Sequence, residues 1–164
     1  TDAAQELCPV EEFCLKISAG KRAQVTGDFM IIARLESLIA GLPVSDALSR
    51  AAAYVEAGAD GVMIHSKEKS GEDVREFCAA FRARYEHVPI VLVPTTYNQH
   101  TESVLKDWGA NIIIYANHLL RASYPAMLRA ARSILENERS LEADGLCMPI
   151  KEILNLIPES PHGE

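Results

Sequence analysis

Four apolar runs, each closed by a polar residue and separated by segments of helical periodicity, set the limits on what this chain can become. They are 29–34, ending in Arg34; 61–66, ending in His65 and Ser66; 89–96, ending in Thr95 and Thr96; and 111–117, ending in Asn117. Short apolar runs that alternate with amphipathic helices mark successive βα units of a parallel sheet, whose strands are covered on both faces. Ligands of such sheets bind at the carboxyl ends of the strands. Arg34, His65, Thr95 and Asn117 are therefore expected at one rim, so a single pattern gives both an α/β architecture and a candidate site.

The length of 164 residues allows one domain with a substantial core. No apolar run approaches the roughly 20 residues a membrane helix needs, and the N-terminus has neither a basic start nor an apolar signal core. A cytoplasmic protein without a membrane partner is the expectation. The formal net charge of −7 argues against a nucleic-acid binder, which needs a basic face to release phosphate counterions. It leaves room for a small anionic substrate, because a local cationic pocket binds anions inside an acidic protein. Cys8, Cys14, Cys78 and Cys147 form no C-x-x-C pair. Cys14 and Cys78 fall on apolar helix positions and are expected to be buried, reduced thiols.

Along the chain, a first helix is expected over 10–19, with Val10, Phe13, Cys14 and Ile17 on one face. A second opens at Pro43 and Ser45, with Ser45 as N-cap, a stripe of Ala47, Leu48, Ala51, Ala52 and Val55, and Gly58 as C-cap. Further helices are expected over 72–85, 102–108, 121–138 (carrying Met127, Leu128, Ala131 and Leu135) and 151–156. The tail 158–164 is expected to be flexible. Four units fall short of the eight strands and about 250 residues of a closed (β/α)8 barrel. An open nucleotide-binding sheet lacks its usual signature here, since neither G-x-G-x-x-G nor G-x-x-x-x-G-K-[ST] occurs. The first helix precedes the first strand, as a helix does when its own strand belongs to an earlier unit. Half of a barrel, 1–157, is the architecture that fits.

Arg34 places a planar, permanently charged fork at a strand end, suited to carboxylate or phosphate. His65 stands equivalently on the next strand and offers a directional donor or a proton carrier. Glu36, two residues past Arg34, is placed to orient that guanidinium. The hydroxyl of Thr95 can position a substrate. Asn117 can do so too, although capping the next helix is its ordinary use. His87, His100 and His162 fall in connectors or the tail and are expected to be solvated. No metal cluster is visible, because these strand ends carry no carboxylate except Glu36, and no serine stands on a G-x-S-x-G elbow.

These residues carry a resemblance. Asp-Phe-Met-Ile-Ile-Ala-Arg-Leu-Glu-Ser-Leu-Ile-Ala-Gly at 28–41 is similar to the phosphoenolpyruvate mutases of the isocitrate lyase superfamily. So is Ala-Leu-Ser-Arg-Ala-Ala-Ala-Tyr-Val-Glu-Ala-Gly-Ala-Asp-Gly-Val-Met-Ile-His-Ser-Lys at 47–67. The likeness continues through Val-Pro-Thr-Thr-Tyr-Asn at 93–98, Tyr-Ala-Asn-His-Leu-Leu-Arg-Ala at 115–122 and Ile-Lys-Glu-Ile-Leu at 150–154. It covers nearly the whole chain but only the C-terminal half of the family's barrel. The implied fold is strands five to eight of a (β/α)8 TIM-type barrel, followed by a C-terminal helical extension.

The resemblance implies an isomerase that interconverts phosphoenolpyruvate and phosphonopyruvate, forming the P–C bond that begins phosphonate biosynthesis. It implies Arg34 and His65 as catalytic residues that stabilise the migrating phosphoryl group, with Glu36, Thr95 and Asn117 binding substrate or supporting them. It also implies Mg2+, held by acidic residues of the family's N-terminal half, and a homo-oligomer joined through C-terminal helices. Phosphonopyruvate hydrolase shares the Arg34–His65 pair and is the alternative; Ile-His-Ser-Lys at 64–67 leans toward the mutase. A non-catalytic half-barrel acting as an assembly partner is the reading from a different class, since open strand edges tend to pair. With no metal ligands of its own, the polypeptide assayed alone is expected to be inactive.

Overall fold

Ile32, Ala33, Arg34 and Leu35 form β1 (Ile32–Leu35), and side-chain alternation sends Ala33 and Leu35 into the core while Arg34 stands exposed on the opposite face. That division fixes which side of β1 carries chemistry. The computed structural model describes residues 6–156. Within them the chain forms two compact units that divide between Ala116 and Asn117.

The first unit runs α1 (Val10–Ala23), β1, α2 (Val44–Glu56), β2 (Gly61–Ile64), α3 (Glu72–Arg84), β3 (Ile90–Leu92), α4 (Glu102–Asp107) and β4 (Ile112–Ile113). The four strands lie in sequence order and are parallel throughout, as the βα rhythm required. α2 packs against α1, α3, β1 and β2. The core between helices and sheet holds Val62, Ile64, Phe77, Phe81, Ile90 and Leu92, each at most 1% exposed. Burying an aliphatic or aromatic side chain of this kind contributes about 1.5–3 kcal/mol. Ile17 of α1 joins that core, with Val10, Phe13 and Cys14 packed at its margin, so the expected face of the first helix is the face used.

The chain closes α2 with Gly58 at φ 108°, where the amide of Gly58 reaches the Val55 carbonyl (3.0 Å) and that of Ala59 reaches Tyr54 (2.9 Å). A left-handed glycine satisfies the last carbonyls and turns the chain directly into β2. The expected N-cap does not hold. Pro43 occupies the cap position, and Ser45 already lies inside the first turn, its carbonyl accepting from the Ser49 hydroxyl at 2.9 Å. The fixed φ of proline starts the helix earlier than the Ser45 pattern implied.

β1 is also shorter than its apolar run. Pairing with β2 begins at Ile32 opposite Gly61, and Phe29 and Met30 are exposed. What anchors this entry is Asp60. Its carboxylate accepts from Lys21 Nζ of α1 (2.8 and 2.9 Å) and from the Ile31 amide (2.8 Å), while its own amide donates to the Ile31 carbonyl (2.8 Å). One side chain thereby ties the end of α1 to the starts of β1 and β2.

The second unit contains α5 (His118–Asn137), a 3₁₀ segment (Leu141–Leu146) and α6 (Ile150–Leu154). α5 begins three residues earlier than expected. Of its expected stripe, Met127, Leu128, Ala131 and Leu135 are all exposed, because the element packed on α5 within this unit is the 3₁₀ segment. Residues 158–164, expected to be flexible, lie outside the described residues. Among the described residues no helix is long and apolar enough to cross a membrane.

Burial works against the charge of Asp60, but the Ile31 amide and Lys21 outweigh it, so its carboxyl sits below the usual carboxylate range. A depressed carboxyl stabilises the fold above its unfolded value, about 3.9, and that contribution is lost as pH falls through the folded value. Asp60→Asn should therefore be less stable than the parent chain at neutral pH, with the gap narrowing below about pH 4. Denaturant midpoints across pH check this, and a gap that stays constant into acid contradicts it.

Candidate functional site

The β1–β2 register pairs Arg34 with Met63 and Leu35 with Ile64. One step further, the His65 amide donates to the Leu35 carbonyl at 3.2 Å, which sets His65 level with Glu36. In a parallel pair, side chains level with one another share a face, and Arg34, two residues before Glu36, shares it too. The three side chains meet there. Arg34 Nε donates to Glu36 Oε1 in an ion pair. His65 Nδ1 lies 2.9 Å from Glu36 Oε2 and 3.1 Å from Oε1, and Arg34 Nη2 lies 2.8 Å from the same ring nitrogen. Exposure falls from Arg34 (51%) through His65 (34%) to Glu36 (23%), so the carboxylate is the inner member and the guanidinium the outer.

A cavity of about 290 Å³ adjoins the cluster, bordered by Phe13, Arg34, Glu36, Arg50 and Tyr54. Arg50 is occupied: it bonds Asp46 (3.0 Å), the Cys8 carbonyl (3.0 Å) and the Tyr54 hydroxyl (3.3 Å). Arg34 is the cation whose outer edge faces open space. A fixed positive fork beside an imidazole, at the carboxyl ends of parallel strands, is chemically suited to holding an anion on which negative charge shifts.

The structure therefore brings together Arg34, Glu36 and His65. Thr95 lies half-buried in the loop three residues past the end of β3, its amide bonded to the Val93 carbonyl at 2.8 Å, and among the described residues no hydrogen bond links its side chain to the three. Asn117 stands at the N-cap of α5 in the second unit, but its side chain does not cap; its Oδ1 accepts from Arg121 Nη1 at 3.5 Å. The expected capping bond is replaced by this contact one turn along the helix.

Sequence reading missed the scaffold behind His65. Lys67 Nζ donates to the Ile39 carbonyl (3.2 Å), linking the loops that follow β2 and β1. Buried Ser66 bonds Asp73 (2.5 Å) and accepts from the Glu68 amide (3.0 Å). The loop after β3 grips the same segment, through Gln99 to the Lys69 carbonyl and His100 Nε2 to the Ser70 carbonyl, both 2.7 Å. His100, expected to be solvated, is half-buried against Trp108 at 4.6 Å between ring centroids. Gly71 closes the loop at φ 75°, where a Cβ would meet Trp108 at 3.1 Å and Tyr97 at 3.2 Å. Only the glycine and the serine pattern hinted at an ordered turn; the gripping side chains lie about 30 residues away in sequence.

Glu36 is already engaged by Arg34 and His65, and among the described residues no group of three His, Cys, Asp or Glu side chains is placed to hold a metal ion. These residues do not fit a magnesium site. The cysteines stand apart from the chemistry. Cys14 is half-buried and donates to the Ala53 carbonyl at 3.5 Å, and burial raises its pKa. Cys78 is wholly buried, as expected.

A model of the family described as phosphoenolpyruvate phosphomutase matches residues 1–135. The phosphoenolpyruvate phosphomutase of Tetrahymena pyriformis is 38% identical over 155 residues, which cover 94% of this chain and 51% of that protein. The crystal structure of phosphoenolpyruvate phosphomutase from Streptomyces platensis subsp. rosaceus superimposes with a TM-score of 0.85 at 40% identity, covering 94% of this chain and 53% of that one. The structure of a phosphonopyruvate hydrolase in complex with oxalate and Mg2+ does so with a TM-score of 0.82 at 39% identity, covering 93% and 53%. The chain spans about half the length of the relatives it matches.

Burial pushes the Cys78 thiol up to about 12, with Arg82 acting weakly the other way. The thiolate is the reactive form. A thiol-alkylating reagent at neutral pH should therefore modify exposed Cys147 well before Cys78. Mass spectrometry of the folded, briefly treated chain reads the order, and early modification of Cys78 contradicts it.

Proposed function

The chain belongs to the phosphoenolpyruvate phosphomutase family, and on that premise we propose that it carries the phosphoryl-stabilising side of an active site that interconverts phosphoenolpyruvate and phosphonopyruvate. The observation that carries the reading is the convergence of Arg34, Glu36 and His65 at the ends of β1 and β2. In the reaction the O–P bond breaks, the enol oxygen becomes a ketone, and the phosphoryl group bonds to the methylene carbon. Such transfers depend on positioning and on neutralising charge spread over three oxygens. Arg34 supplies the fixed charge, and His65 a directional donor to the phosphoryl or enolate oxygen. Thr95 and Asn117 are assigned to substrate positioning.

Magnesium enters this proposal through acidic residues other than those described, and no step here runs through it. The protein is assigned to the cytoplasm. It is proposed to form a homo-oligomer, a reading supported by the exposed apolar side chains of α5, among them Leu119, Leu120, Tyr124 and Leu135.

Hydrolysis of phosphonopyruvate is the second reading, favoured by a hydrolase of nearly equal identity and structural likeness. The two differ in where the phosphoryl group goes, to the enol oxygen or to water. In a preparation that joins this chain to the four remaining βα units of a family barrel, 31P NMR with phosphonopyruvate separates them. Phosphoenolpyruvate as product supports the mutase; inorganic phosphate supports the hydrolase. Arg34→Ala and His65→Ala should each lower turnover about 10²-fold or more, the usual consequence of removing a charge-stabilising donor. Unchanged rates in both remove these residues from the site.

A further inference from the structure

His65 Nδ1 faces two groups that make opposite demands on it. Glu36 offers two acceptor oxygens, at 2.9 and 3.1 Å, and Arg34 Nη2 offers a donor at 2.8 Å. One nitrogen holds either a proton or a lone pair. If it holds a lone pair it accepts from Arg34, and both carboxylate oxygens then confront that lone pair in the least exposed part of the cluster. If it holds a proton it donates to Glu36, and only one N–H of the most exposed side chain loses its partner. That N–H turns to water at little cost, and the guanidinium stays ion-paired through Nε. A carboxylate facing a lone pair has no such escape, because it has no proton to offer and is the inner member of the cluster.

We propose that Glu36 is the positioning residue of this site: its carboxylate fixes the Nδ1–H tautomer of His65, turns Nε2 toward the substrate, and leaves the outer edge of Arg34 for the anion. Among the described residues the ring's hydrogen-bond contacts all run through Nδ1, so Nε2 is the nitrogen that remains for a ligand. In the neutral ring Nε2 presents a lone pair. To donate to a phosphoryl oxygen it takes up one proton from solvent, and Glu36 then holds the resulting imidazolium through Nδ1–H, as a carboxylate does in a hydrolase triad. This role rests on the proposed function only in naming what Nε2 faces; the tautomer itself is a property of the chain without ligand.

The test is a two-dimensional 15N–1H spectrum of the imidazole nitrogens in the 15N-labelled chain, without ligand and at a pH where the ring is neutral. His65 is identified by the signals that vanish in His65→Asn. The expected result is a protonated Nδ1 and a bare Nε2. In Glu36→Ala, Arg34 becomes the sole partner of Nδ1 and the two nitrogens should exchange their shifts; in Arg34→Ala they should keep them. Should Glu36→Ala fail to fold, the parent and Arg34→Ala spectra decide. A neutral parent ring protonated at Nε2, or a Glu36→Ala ring that keeps its proton on Nδ1, overturns the proposal. Because no substrate is present, either result stands apart from the question of which anion the site binds.

Discussion

The parallel register of β1 against β2 is the constraint on which the rest depends. It places Leu35 opposite Ile64, and the next step brings Glu36 and His65 level on the face that carries Arg34. A slip of one residue between the two strands would put His65 and the Arg34–Glu36 pair on opposite faces, so that the three could not meet. Asp60 guards against that slip at the start of the pair by holding Ile31 and Lys21 while the chain enters β2. The loop after β2 guards it at the other end, where Lys67 reaches back to the Ile39 carbonyl. Chemistry at the rim is thus positioned by ties at both ends of two four-residue strands.

Within the cluster a single carboxylate serves both the Arg34 guanidinium and the His65 ring. That sharing leaves Glu36 unsuited to a metal: Oε1 is ion-paired with Arg34, and both oxygens face His65. It also explains how a chain of net charge −7 presents a locally cationic edge. The more exposed guanidinium faces outward, and the inner acid keeps it in place. The cluster presents a fixed positive charge and a directional ring nitrogen at the ends of β1 and β2.

Much of this was legible in the sequence because βα units write themselves locally. The apolar runs gave four parallel strands in order, the polar residue closing each run gave Arg34 and His65, and Gly58 marked the end of α2. Boundaries were less legible, since Pro43 began a helix at which Ser45 looked the better cap. Contacts across the register were not legible at all. The sequence marks Glu36 as a companion of Arg34, two residues away, whereas its meeting with His65 spans 29 positions and exists only once the strands are paired. His100 looked like a solvated connector residue because nothing local reveals Trp108 beneath it or the Ser70 carbonyl in reach. The periodicity of α5 names an apolar face and not what covers it.

The most direct test of the central claim, that Arg34, Glu36 and His65 form the anion-binding side of this chain, is a titration of the labelled polypeptide with phosphonopyruvate. The readout is the arginine Nε–H and histidine ring resonances together with the backbone amides of 34–37 and 64–67. Saturable shifts confined to those groups, and abolished by Arg34→Ala, are the expected result. Saturable shifts centred elsewhere, or shifts that survive Arg34→Ala undiminished, contradict it.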